Sequence, residues 1–212
     1  MENRMRKIQS STNRRLMLKA IPGHFATNHS HSNYYVDMST LKSRQNEASA
    51  VAFELANRVM NTTIVDTVLC LDGTEVVGAY LAEELCRSGV QIMNTHGTIY
   101  IVSPEYSGGQ MIVRDNIMPM IQNKNVLLLS ATISSGISCQ KSIESIEYYG
   151  GRVSAVAAIF SSITECAGHP VYSVFGKDVL PDYQTFAPHQ CPHCQRREKL
   201  DALVNAYGYS KL

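Results

Sequence analysis

The apolar positions along the chain change period several times, and each change marks an element. Between residues 44 and 60, Ala48, Val51, Ala52, Leu55, Ala56 and Val59 recur at helical spacing and predict an amphipathic helix. Ile64 to Leu71 is then largely apolar, as an inner strand of a parallel sheet is. Asp72-Gly73-Thr74 forms a strand-to-helix turn, Val76 to Cys86 a second helix, and Gly89 is placed to end it. Ile99 to Val102 reads as the next strand. Ser103-Pro104 and Ser107-Gly108-Gly109 mark a loop with a short hairpin around Met111 to Val113. Beyond it come a strand over Val126 to Leu129, a small-residue turn, and a helix from Ser138 to Tyr149 stopped by Gly150-Gly151. A Val- and Ala-rich strand follows from Val153 to Phe160.

Strands alternating with helices predict an α/β fold, a mainly parallel twisted sheet flanked by helices. Ligands of such sheets sit outside the carboxyl ends of the strands, where Asp72, Ser103 and Ser130 fall. Three separate loops are thereby expected at one crevice. The N-terminal stretch carries Arg4, Arg6, Lys7, Arg14, Arg15 and Lys19, and is expected to be a solvated helix with Met5, Ile8, Leu16 and Leu18 packed beneath it.

At 212 residues and 44% apolar content, the chain suffices for one sizeable α/β domain. The net charge of +1 gives no basis for nonspecific attraction to nucleic acid or an anionic membrane. A small-molecule partner is expected instead. No apolar run approaches the ~20 residues of a membrane span, and no signal-peptide core is present, so a cytoplasmic protein is expected. Cys70, Cys86 and Cys139 sit in apolar or helical patterns and read as thiols, not as a secreted disulfide framework.

The candidate chemistry centres on Ser130 to Cys139. An apolar strand runs into Ser134-Ser135-Gly136-Ile137-Ser138 at a helix start, a layout that cradles phosphate on backbone N–H groups. Thr132, Ser134 and Ser138 add hydroxyls. The same cluster is also an ordinary helix cap, and the order of the surrounding motifs favours the anion.

This pattern resembles the donor-binding signature of the type I phosphoribosyltransferases, in which two acidic residues and two variable ones precede a Thr-Thr-Gly-Gly-Thr-like turn. The likeness narrows to the orotate phosphoribosyltransferase branch through Gly23-His24-Phe25, His31 to Asp37, Leu69 to Ala82, and the tail Cys191-Pro192-His193-Cys194. It implies a small hood on the α/β core: residues 1–43 as N-terminal arm and hood, 44–180 as core, and 181–212 as a tail packing on either. It further implies a homodimer, a 5′-phosphate held by Thr132, Ser134, Ser135, Gly136, Ile137 and Ser138, and a pyrophosphate loop at Asp72, Gly73 and Thr74. Tyr34, Tyr35 and Arg114 would meet the substrate, and magnesium would accompany phosphoribosyl pyrophosphate. Asp72 and Glu75 read equally well as caps of the following helix. Tyr34 and Tyr35 read equally well as one core and one solvent position.

The departures are as specific as the likeness. Ser130 and Ala131 occupy the acidic positions, and residues 103–116, the counterpart of a cationic catalytic loop, hold Arg114 alone. Asn28-His29-Ser30 replaces a Lys-Ser-Gly-Arg-like run, and Ser161-Ser162 replaces Asp-Arg. Losing one preorganised electrostatic group costs roughly a hundredfold in rate. Three readings stay open: a transferase, a noncatalytic binder of nucleotide or sugar phosphate, and a transferase of altered base or donor in which Glu105 or Asp115 supplies the missing carboxylate.

Cys191 and Cys194 have the spacing of half a zinc site, with His169, His189 or His193 as completing ligands; reduced thiols in a turn and a redox pair are the other readings. His24, His29 and His31 suggest acid/base work or metal, but they match no standard ligand spacing and receive no catalytic role.

Overall fold

A computed structural model describes residues 2–87, 94, 97–108 and 110–212. Gly89 and Gly109, read above as a helix stop and a loop glycine, lie outside the described residues. The chain begins with strands β1 (Arg6–Gln9), β2 (Met17–Ala26) and β3 (His31–Asp37), followed by helices α1 (Ser39–Ser43) and α2 (Gln45–Val59). Then come β4 (Thr67–Cys70), α3 (Glu75–Cys86), β5 (Tyr100–Val102) and the hairpin β6 (Glu105–Ser107) and β7 (Gln110–Ile112). The core is completed by β8 (Asn125–Ile133), α4 (Ile137–Tyr148), β9 (Arg152–Ser161), β10 (Glu165–Cys166) and β11 (His169–Phe175). The tail carries β12 (Thr185–Phe186), α5 (Pro192–Gln195), β13 (Ala202–Asn205) and β14 (Gly208–Lys211).

The central sheet has the order β10-β11-β9-β8-β4-β5, parallel throughout except for β10 at its edge. Both faces are covered, which explains why its inner strands are apolar at nearly every position. Alternate residues of β8 supply the two cores: Leu127, Leu129 and Ala131 pack with Val51, Leu55, Leu81 and Leu85 of α2 and α3. Val126 and Leu128 pack with Ile143 and Ile146 of α4. Among the described residues, no helix is long and apolar enough to cross a membrane.

A second sheet of order β12-β3-β2-β13-β14, with β1 also on β2, forms the hood. It overturns the expected N-terminal helix. Leu16, Leu18 and Ala20 are fully buried and alternate with more exposed Met17 and Lys19, a period of two that only a strand satisfies. Of the basic residues of this stretch, Arg6, Lys7 and Lys19 lie on two antiparallel strands, with Lys7 opposite Lys19 and Ile8 opposite Leu18, while Arg14 and Arg15 lie in the turn between them. The strand expected over Ile64 to Leu71 is shorter, because Val65 is held by the Asn94 side chain, whose Oδ1 accepts its N–H at 2.7 Å.

The β2–β3 register slips between Pro22 and Phe25, and His24 lies within the slip. Proline cannot donate to the ladder and bulges re-aim side chains. Gly23 is required beside it, since a Cβ there would stand 2.2 Å from the Asp201 carboxylate that accepts the His24 N–H. Arg4 also binds Asp201, at 2.5 Å, so the hood, the arm and the tail meet at one carboxylate.

Candidate functional site

Strand β8 ends at Ile133, and the chain turns through Ser134, Ser135 and Gly136 into α4. Gly136 has φ of +79°, a left-handed conformation that other residues adopt only with strain. No side chain caps the helix there, so its first N–H groups and the positive end of its dipole face outward. The turn is held from below: Ser162 Oγ donates to the Ser134 carbonyl at 2.9 Å, and the buried Cys166 thiol donates to the Gly136 carbonyl at 3.6 Å. Ser162 stands where the resemblance led us to expect charge, and it braces the cradle instead.

Two adjoining cavities open on this turn. The smaller, about 470 Å³, lies between cradle and hood and is lined by Thr132, Ser134, Ser135 and Ser138 on one side and by Asn28, His29, Tyr34 and Tyr35 on another. The larger, about 1260 Å³, runs over α4 beneath the β6–β7 hairpin and includes Gly136 and Ile137. All six residues of the expected phosphate cradle therefore line one connected crevice.

Asp72 lies on both cavities, and its carboxylate accepts a hydrogen bond from Ser130 Oγ at 2.5 Å. With φ of +59° at Asp72 and +72° at Gly73, the loop after β4 folds back over the end of β8. A carboxylate is thus present at the strand end where Ser130 and Ala131 lack one, delivered from the neighbouring loop. Gly73 and Thr74 line neither cavity. Thr74 is fully buried, and its hydroxyl joins the Leu71 and Leu129 carbonyls at 2.8 and 3.3 Å.

Lys42 of α1 was not singled out from sequence, and it is the one lysine or arginine lining the smaller cavity among the described residues. Its ammonium donates to the carbonyls of Asp72, at 2.6 Å, and Ala206, at 2.5 Å, tying hood, core and tail together. An ammonium has three donors, so the third is available to an anion in the crevice.

Tyr34 and Tyr35 point to opposite faces of β3. Tyr34 belongs to the main core, and its hydroxyl is engaged by Asp182 at 2.5 Å and Arg6 at 3.1 Å; burial, then Asp182, raises its pKa. Tyr35 packs on Phe25 and Tyr209, and burial, with the nearby Asp37 charge, pushes its pKa up to about 12. Tyr183 closes the cavity floor, with its pKa also pushed up to about 12 by burial. Of the tyrosines lining the smaller cavity, Tyr207 is the exposed one, at 92% on the β13–β14 turn, a residue the sequence did not mark. Arg114 lines neither cavity, being paired with Glu105 across the β6–β7 hairpin at 2.7 and 2.8 Å. That hairpin instead lays Tyr106 along the larger cavity.

Cys191 and Cys194 lie against the hood, where His24 and His31 join them with all four ligand atoms within 4.8 Å of one another. The histidines expected beside the cysteines are placed otherwise. His193 is turned to Glu198, His189 is exposed, and His169 is on the central sheet.

No protein-family model matches the sequence, and no curated protein matches it. Solved structures do match the fold. UMP synthase of Leishmania donovani aligns over 76% of this chain with TM-score 0.55 and 16% identity, and this chain spans only 34% of that protein's length. Adenine phosphoribosyltransferase of Thermoanaerobacter pseudethanolicus aligns over 82% of this chain and 96% of its own, with TM-score 0.52 and 13% identity. Orotate phosphoribosyltransferase of Mycobacterium tuberculosis with 5-phospho-alpha-D-ribosyl 1-diphosphate aligns over 69% and 82%, with TM-score 0.51 and 16% identity. Five parallel strands, flanking helices, a hood and the cradle after the third parallel strand in chain order give the chain the fold of the type I phosphoribosyltransferases.

Proposed function

We propose that the chain binds a nucleoside 5′-monophosphate, or another 5′-phosphorylated ribose, in this crevice, and that it lacks the ordinary ribosyl-transfer activity of an orotate phosphoribosyltransferase. The observation that carries this reading is the uncapped N-terminus of α4 behind Gly136, opening onto a cavity whose charged lining is Lys42 and Asp72. The helix N-terminus and Lys42 supply the donors and positive field a phosphate needs. Asp72 and Thr132 then lie where ribose hydroxyls would find acceptors. Tyr207 and the Asn28–Ser30 turn flank the outer end, where a planar base would stack or hydrogen-bond. The cavity volume is within the ~300–1,000 Å³ of ordinary small-molecule sites. The likeness to orotate enzymes makes pyrimidine nucleotides the first candidates.

Turnover is the weaker part of the likeness. Ribosyl transfer builds positive charge on the ribose and negative charge on departing pyrophosphate, so it depends on preorganised carboxylates and cations. Among the described residues, the smaller cavity offers one carboxylate, and the loop's only cation is paired with Glu105. Calorimetry with uridine and orotidine monophosphates and with phosphoribosyl pyrophosphate, each with and without magnesium, tests the proposal. Monophosphate binding independent of magnesium is expected. Robust magnesium-dependent exchange between orotate and its nucleotide would overturn it.

The Ser130–Asp72 contact favours a second reading, a transferase with an altered donor. One carboxylate together with substrate phosphates is a common magnesium environment, and Asp72 is the residue here that fits it. Magnesium-strengthened binding of the diphosphate donor, lost in Asp72→Asn, would select this reading.

A further inference from the structure

We propose that His24, His31, Cys191 and Cys194 form a structural zinc site that fastens the C-terminal tail to the hood. The four residues come from three places: β2, β3 and the first turn of α5. In the fold their donor atoms converge. His24 Nε2 is 3.0 Å from His31 Nδ1, 3.4 Å from Cys191 Sγ and 3.6 Å from Cys194 Sγ, while Cys194 Sγ is 3.3 Å from His31 Nδ1. Zinc bonds of ~2.3 Å to sulfur and ~2.0–2.1 Å to nitrogen give a tetrahedron whose edges are about 3.3–3.8 Å. Of these four separations, three fall inside that range and the nitrogen pair is slightly shorter.

The surroundings suit a closed, structural centre. Cys191 is fully buried and His24 is 3% exposed, while Cys194 stands at the surface as an entry point. His24 Nδ1 lies 3.1 Å from the Glu198 carbonyl, and a carbonyl can only accept, so Nδ1 carries the proton and Nε2 presents its lone pair inward. His193 stacks on His24 with ring centroids 5.0 Å apart and is itself held by Glu198, which positions the ligand without joining it. Cys191 caps α5 and Pro192 occupies its first turn, so both sulfurs lie at one helix start. Binding converts two thiols to thiolates and releases two protons. Two thiolates and two neutral imidazoles around a dication leave the centre uncharged, which makes its burial inexpensive.

The site has a consequence for the crevice. The same tail continues into β13, which pairs with Phe25 and Ala26 next to His24, and its Asn205–Gly208 turn forms one wall of the smaller cavity. Zinc would therefore hold that wall, including the Ala206 carbonyl bound by Lys42, in place. This inference does not depend on the nucleotide reading, because metal content and nucleotide binding are measured separately.

The test is metal analysis of untagged full-length protein, before and after equilibration with one equivalent of zinc, followed by exchange into cobalt(II). Close to one zinc per chain is expected, with visible cobalt bands and thiolate-to-cobalt charge transfer characteristic of tetrahedral sulfur and nitrogen ligation. Cys194→Ser, chosen because the residue is exposed, and His31→Ala should each lose affinity by more than the ~10- to 100-fold typical of outer-shell changes. His193→Ala should retain stoichiometric metal. Chelation should lower the melting temperature and remove hydrogen-exchange protection from residues 191–212. No zinc after equilibration, undiminished binding in both ligand variants, or a Cys191–Cys194 disulfide in the native protein would overturn the assignment.

Discussion

Replacing Gly136 by alanine tests whether the N-terminus of α4 is the anion site. Gly136 sits at φ of +79°, and a non-glycine residue in the left-handed region costs roughly 1–2 kcal/mol. The added Cβ would meet Ile163 Cδ1 at 3.1 Å and Cys166 Sγ at 3.6 Å. The first contact is tight, but it involves the flexible end of a side chain, so backbone strain dominates. For a chain of this size, about 1–2 kcal/mol lowers the melting temperature by roughly 2–8 °C. If φ instead relaxes, the N–H groups of Ile137 and Ser138 rotate off the anion. Losing one hydrogen bond to a charged group, worth roughly 1.5–3 kcal/mol, weakens uridine monophosphate binding about ten- to hundredfold. Gly150→Ala is the control, since it stands at φ of +78° beyond the opposite end of the same helix with Gln122 Cγ 3.3 Å from the added Cβ. Scanning fluorimetry and calorimetry on both variants should show similar destabilisation and a binding defect in Gly136→Ala alone. Full affinity in a Gly136→Ala protein whose melting temperature is unchanged, which is the relaxed backbone, or an equal defect in both variants, would refute the assignment of the cradle.

Lys42→Met should weaken nucleotide binding roughly tenfold or more by removing a charge-assisted donor, with Lys42→Arg recovering part of it; unchanged affinity would remove Lys42 from the site. Glu105→Ala and Asp115→Ala should leave nucleotide affinity and melting temperature unchanged, because the Glu105–Arg114 pair is exposed and outside both cavities. A calorimetric loss in either would instead assign that carboxylate to the ligand. Tyr35 and Tyr183 keep their protons to about pH 12 in the folded chain, whereas an unfolded tyrosine ionises near 10. Their contribution is complete below about pH 10 and is lost as pH rises towards 12, where the unfolded state binds fewer protons. Denaturant titrations across that interval should show falling stability, with a shallower fall in Tyr183→Phe; an identical slope would refute the assignment.

Much of the central layer was legible in residue order. Val126 to Leu129 and Val153 to Phe160 are apolar at successive positions because both faces of their strands are covered, and the α2 and α4 stripes have the helical period. The strand, small-residue turn and helix proposed as the cradle were legible too, since they are contiguous. The N-terminal arm was misread because Leu16 and Leu18 fit a helix stripe and a strand alternation equally well over so few residues. Pairing with β1 and β3 decided between them.

The site's remaining parts are meetings between distant segments. Ser130 meets Asp72 because β4 and β8 are neighbours and Asp72 takes a left-handed backbone; Lys42 reaches Ala206 across 164 positions; His24 finds Cys191 across 167. Residue order determined the α/β class, the inner strands and the small-residue turn between β8 and α4, because periodicity and turn chemistry act over a few neighbouring residues. Tertiary structure decided which carboxylate and which lysine come together at the crevice and which histidines meet the two cysteines, because those depend on sheet order and tail docking, which are settled by burial and pairing across the whole chain.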